Sequence, residues 1–149
     1  MSAPRTRAGF WLLLAVLAGC IDYLDPQTGS ASALRCLDED GDRNTPVSFA
    51  VDIQPIFDMR CRFCHYPTGG SPIGIQTSRL DLSTYQTLRA GGNGGIEFTA
   101  GMPCTSLLFE KLGPGPPFGS RMPLNGPPFL DDRQLQLVHD WIAEGALEN

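Results

Sequence analysis

CRFCHYP, residues 61–67, places two cysteines two residues apart and a histidine directly after the second. Three chemistries use parts of that pattern: a dithiol redox pair, half of a zinc site, and covalent attachment of haem. The surroundings of the motif decide between them, and with them the fold.

Upstream of Cys61, Phe49, Ile53, Ile56, Phe57 and Arg60 recur at helical spacing, the first four forming an apolar stripe. Pro55 either kinks this helix or opens its main segment, because proline has no N–H to give and fits best in a first turn. A helix therefore runs straight into the motif. A dithiol oxidoreductase places CxxC after a strand, at the start of a helix, and gives the histidine no role. Zinc needs four ligands, usually as two paired groups. Beyond the motif the chain offers only Cys36, Cys104 and His139, each isolated in sequence. Haem accounts for all three residues. Cys61 and Cys64 add to the two vinyl groups as thioethers, and His65 falls where an imidazole nitrogen ligates the iron.

The iron's sixth position can be filled by methionine, histidine or nothing, and the methionines offer three candidates. Met59 is too close to the attachment site to cross the ring. Met122 stands in GPGPPFGSRMPLNGPP, residues 113–128, which holds six prolines and four glycines and excludes regular structure. Prolines restrict the unfolded chain and so stiffen the support of a weak thioether ligand. Met102, also before a proline, is the rival. His139 lies off the apolar stripe of its helix and reads as a surface or locally satisfied histidine rather than a ligand.

The remaining chain reads as short helices and long loops. Residues 84–90 form a helix with Ser83 as its cap, and 106–111 another. The last helix has Asp131 as N-cap, Gln134 to complete a capping box, Leu130 and Leu135 as a staple, and Gly145 as its stop. GGNGG, residues 91–95, lacks the Lys-Ser/Thr of a phosphate loop and reads as a flexible surface loop. No segment alternates like a strand, so the class is all-α. DEDGDRN, residues 38–44, lacks the spacing of an EF-hand loop and reads as a solvated acidic turn.

The N-terminus carries an address. Arg5 and Arg7 precede the apolar run of residues 10–18, too short to span a bilayer, and LAGC at 17–20 resembles a lipoprotein cleavage box. Residues 1–19 are thus expected to be a signal peptide, with Cys20 lipid-modified; an ordinary secretory signal is the alternative. Residues 20–47 read as a flexible tether and 48–149 as the domain. Export implies a compartment where disulfides persist, which leaves Cys36 and Cys104 as a disulfide pair, or as two unrelated buried thiols. Ile21, not Asp, follows Cys20, which favours anchoring at an outer membrane, facing the periplasm. The formal charge of −5 and the lack of any basic run argue against nucleic acid.

FAVDIQPIFDMRCRFCH (49–65), SLLFEKL (106–112), RMP (121–123) and LVHDWIAEGA (137–146), in that order, resemble the small planctomycete-type monohaem cytochrome c domain. The resemblance covers 98 of 149 residues. It implies a cytochrome c fold of three to five helices with long ordered loops around one haem c, the first and last helices crossing near its edge. It also implies Cys61 and Cys64 as attachment points, His65 as the proximal ligand and Met122 as the distal one. The expected function is one-electron transfer from a lipid anchor to a redox partner with a basic docking patch, not catalysis. The alternatives are a haem-bearing subunit or binding module of a larger exported oxidoreductase, or a haem-based gas sensor.

Overall fold

The computed structural model describes residues 36–149, which form one compact unit. Residues 1–35 lie outside the described part, and with them the signal segment, the lipidation site at Cys20 and most of the expected tether. The chain is all-α: six α-helical segments, a π-type turn and a 3-10 turn, with a single isolated bridge between Gly92 and Gly95 among the described residues.

Ser48 starts the first element. Its hydroxyl accepts from Val51 N while its own N–H donates to the Asp52 carboxylate at 2.9 Å. The wide π-type turn Phe49–Ile53 then leads into α1, Gln54–Arg60, with Pro55 in its first turn. That resolves the two options for Pro55: it opens the main segment, where its missing N–H costs nothing. After α1 the backbone makes one further turn, α2, Arg62–His65.

The expected helix at 84–90 exists as α4, Tyr85–Ala90, but its cap is Thr84, which exchanges bonds with Thr87 in a capping box; Ser83 instead turns back on Asp81. A helix absent from the sequence reading, α3, spans Ile73–Ser78. Ser106 precedes α5, Leu107–Leu112, yet its hydroxyl binds Met102 O at 2.8 Å rather than capping. In α6, Asp132–Ala143, the capping box of Asp131 and Gln134 forms as its residues dictate.

Trp141 of α6, fully buried, is the centre of the core. Phe49 and Phe98 lie 5.5 and 5.2 Å from its ring, and Tyr85 stands edge-on at 6.5 Å. Its indole N–H donates to Leu147 O, and Tyr85 O–H donates to Ala146 O, so both polar tips are satisfied. The turn Phe49–Ile53 thus packs on α6, and α1 carries Ile56 and Phe57 into the same core.

The compact unit begins at Cys36 rather than at Ser48. Residues 36–47 are laid against α6: Gly41 N donates to Asp140 Oδ1 at 2.9 Å, and Val47, itself buried, donates to Glu144 Oε2 at 2.8 Å. The acidic turn supplies Asp38 as acceptor for Cys104 N. Cys36 and Cys104 are joined in a disulfide, with their Cα atoms 5.5 Å apart.

Candidate functional site

The CRFCH stretch is itself a helical turn. Cys64 and His65 both donate backbone N–H groups to Cys61 O, at 3.1 and 2.9 Å. Residues three and four apart share a helix face, so this turn brings both thiols and the imidazole to one side. That side is the wall of a cavity of about 180 Å³, which Met122 also lines, from the loop before α6. A larger cavity, about 470 Å³, shares Cys61, His65 and Met122 and continues toward Leu82, Leu108 and Leu112.

His65 is held at both edges. Nδ1 lies 3.0 Å from Leu80 O, which places its hydrogen there and leaves Nε2 as the acceptor nitrogen. At the other edge sits Gly74 of α3, where a Cβ would come within 2.7 Å of both Cε1 and Nε2. Only glycine leaves that edge room.

Cys61 and Cys64 are free and partly buried. Burial pushes the Cys61 thiol up to about 12, against the pull of Arg60. It is therefore a neutral thiol, the reverse of the lowered pKa that disulfide exchange requires. Among the described residues, the donor atoms of Cys61, Cys64 and His65 do not converge as a metal cluster; those of Cys36, Cys104 and His139 do, within 4.8 Å.

Met122 is tied to the end of α5. Its N–H donates to Lys111 O, and Arg121 Nε donates to Leu112 O, both at 2.7 Å. The Arg121 guanidinium lies 4.2 Å over the Phe129 ring. Met102 is exposed and lines neither cavity.

Two further residues were not legible as site residues. Glu97 is buried on the wall of the larger cavity, its carboxyl pKa raised by desolvation against a bond from Gly92 N. Arg60 lines the smaller cavity; one guanidinium nitrogen reaches Pro128 O, while Nε is buried without a partner among the described residues. The glycine loop is not loose: Asn93 N and Nδ2 bond to Ser78 O and Thr77 O, pinning it beside the larger cavity.

The arrangement offers two thiols for covalent attachment, an imidazole and a thioether as metal ligands, and a largely apolar space between them. Compared with known proteins, the chain matches no family model, no curated protein and no solved structure. No helix among the described residues is long and apolar enough to cross a membrane.

Proposed function

We propose that this chain is a one-electron carrier of the c-type cytochrome class, holding one haem c and anchored through lipid at Cys20. The observation that carries the reading is the meeting of Cys61, Cys64, His65 and Met122 around one cavity. In sequence, Met122 is 57 positions beyond His65, so no local pattern forces that meeting.

Features outside the motif support the fit to haem. An orphaned Arg60 Nε in the cavity wall suits an acidic edge, which porphyrin propionates supply. The glycine at position 74 leaves the ligand edge of His65 uncrowded by a side chain. The cavity lining is mostly apolar, as a macrocycle needs. The all-α build, with the start of the domain packed on α6, is compatible with a cytochrome c fold.

In this role Cys61 and Cys64 hold the group by thioether bonds to its two vinyl substituents. Leu80 O fixes the His65 ring so that Nε2 faces outward from its backbone anchor. Met122 would complete the ligand set, its backbone held by Lys111. The bound haem supplies a reversible one-electron couple, and His/Met ligation with apolar burial raises its potential relative to two histidines. Leu82, Leu108 and Leu112, all buried, give the larger cavity an apolar wall for the macrocycle.

Acid-acetone extraction of the purified full-length chain tests the central claim. Covalent haem stays with the denatured protein and moves with it on a denaturing gel. Complete extraction, or a preparation holding zinc and no haem, would overturn the reading.

A further inference from the structure

Cys36, Cys104 and His139 are scattered along the sequence, yet the fold gathers them. Cys36 and Cys104 are 68 positions apart, and a ring nitrogen of His139 lies within 4.8 Å of both sulfurs. We propose that the Cys36–Cys104 disulfide masks a metal site: once reduced, the two thiolates and His139 bind one cuprous ion.

The histidine is already set up as a ligand. Its Nδ1 is 2.9 Å from Asp140 Oδ1, and its Nε2 is 2.6 Å from Leu37 O, beside Cys36. A carboxylate on one ring nitrogen fixes the imidazole and leaves the other for a metal. Nε2 thus faces the segment that carries Cys36. Phe109 stands edge-on 5.3 Å from the ring and holds it from the side. Asp140 is itself anchored by Gly41 N and Gln136 Nε2.

The choice of ion follows from the donors. Two thiolates and an imidazole are soft and select monovalent copper or zinc. Structural zinc takes four ligands, and among the described residues no fourth Cys, His or carboxylate donor joins this group. Three donors suit the cuprous ion.

Cys36 is exposed, so a dithiol reductant can reach the bond. The reductant's sulfurs close a new S–S bond as the Cys36–Cys104 bond breaks. Two electrons and two protons pass to the pair, leaving two thiols. Copper binding then displaces three protons to solvent, one from each thiol and the one His139 Nε2 donates to Leu37 O, and Nε2 turns its lone pair from that carbonyl to the ion.

The test uses the full-length chain, oxidised or reduced with a dithiol that is then removed without oxygen. Cuprous ion is supplied from a chromophoric chelator that competes for it. We expect the reduced chain to take up one more copper than the oxidised chain, and Cys36→Ser/Cys104→Ser to lose that increment. The serine variant and the reduced chain lack the cross-link equally, so their far-UV spectra control for folding. Cys61 and Cys64 are common to both, so they cancel from the difference. Asp140→Asn keeps an acceptor for Gly41 and should weaken the site roughly 10- to 100-fold. Equal uptake by oxidised and reduced chains overturns the proposal, as does unchanged affinity in His139→Gln with an intact far-UV spectrum.

Discussion

Glu97 sets a carboxyl group against the larger cavity, and burial raises its pKa. A carboxyl raised in the folded state binds its proton more tightly there than in the unfolded chain. Stability from this group is therefore full below the ordinary carboxylate range and falls as pH climbs through the raised value. Glu97→Gln should remove that loss, so the variant gains on the parent as pH rises from about 4 to 7. Thermal melts across that range check it, and a constant difference would refute the pKa argument. Met122 is the other residue whose role one substitution can isolate. Under the proposed function, Met122→Ala abolishes the weak far-red absorption of sulfur-ligated ferric haem, and Met102→Ala leaves it intact. The opposite pattern would move the ligand to Met102, although its side chain faces neither cavity. At this scale the motif residues were legible because helical spacing alone brings Cys61, Cys64 and His65 together. Glu97, Arg60 and the His139 cluster were not, since nothing local in the sequence marks a contact made across the fold.

Helix α6 was readable because every signal in it agrees: cap, box, staple, stripe and stop. The short helices were harder. In α4 two adjacent residues could cap, and Thr84 prevails because Thr87 returns its bond. In α3 the helix has six residues, one of them glycine, and side chains add local and tertiary bonds to its carbonyls. Ser78 Oγ bonds to Gly74 O at 2.6 Å, and Asn93 of the glycine loop reaches Thr77 O. Gly74 allows a test in which two effects oppose each other. Alanine in a helix interior is favoured over glycine by about 1 kcal/mol. Here its methyl would also meet Cys64 O at 2.8 Å, besides the imidazole edge. Overpacking of that kind costs roughly 1–3 kcal/mol, so steric conflict should win. Gly74→Ala is expected to lower the melting temperature and, under the proposed function, to disturb the Soret band. A variant more stable than the parent would mean that α3 shifts freely and does not hold His65.

Across the whole molecule, the disulfide ties residues 36–47 to the body of the domain, closing a loop of 68 positions. Chain entropy puts its contribution at about 4 kcal/mol. Cys36→Ser/Cys104→Ser should therefore melt well below the parent under oxidising conditions, and a reductant should erase the difference between them. The pairing was foreseeable from cysteine count and the expected export, whereas the packing of residues 36–47 on α6 was not, because their acidic composition gives no periodic signal. Those same residues matter for recognition. They concentrate Asp38, Glu39, Asp40 and Asp42, and cleavage after residue 19 would remove Arg5 and Arg7, taking the formal charge from −5 to −7. The cavity rim differs, with Arg60 and Lys111 among its residues and Phe118 and Leu124 exposed beside them. Under the proposed function, a redox partner approaching this chain meets a net negative field at long range and a more apolar, partly cationic surface at contact. Weak electron-transfer encounters bury little area and depend on steering for their speed. The screening length falls from about 30 Å at 0.01 M salt to about 8 Å at 0.15 M. With a cationic electron donor, the second-order rate should fall several-fold over that range; with an anionic donor of similar potential it should rise. Stopped-flow reduction with the two donors measures both trends. Equal insensitivity to salt would show that contact at the rim, not net charge, selects the partner, and would remove the basic docking patch from the proposed function.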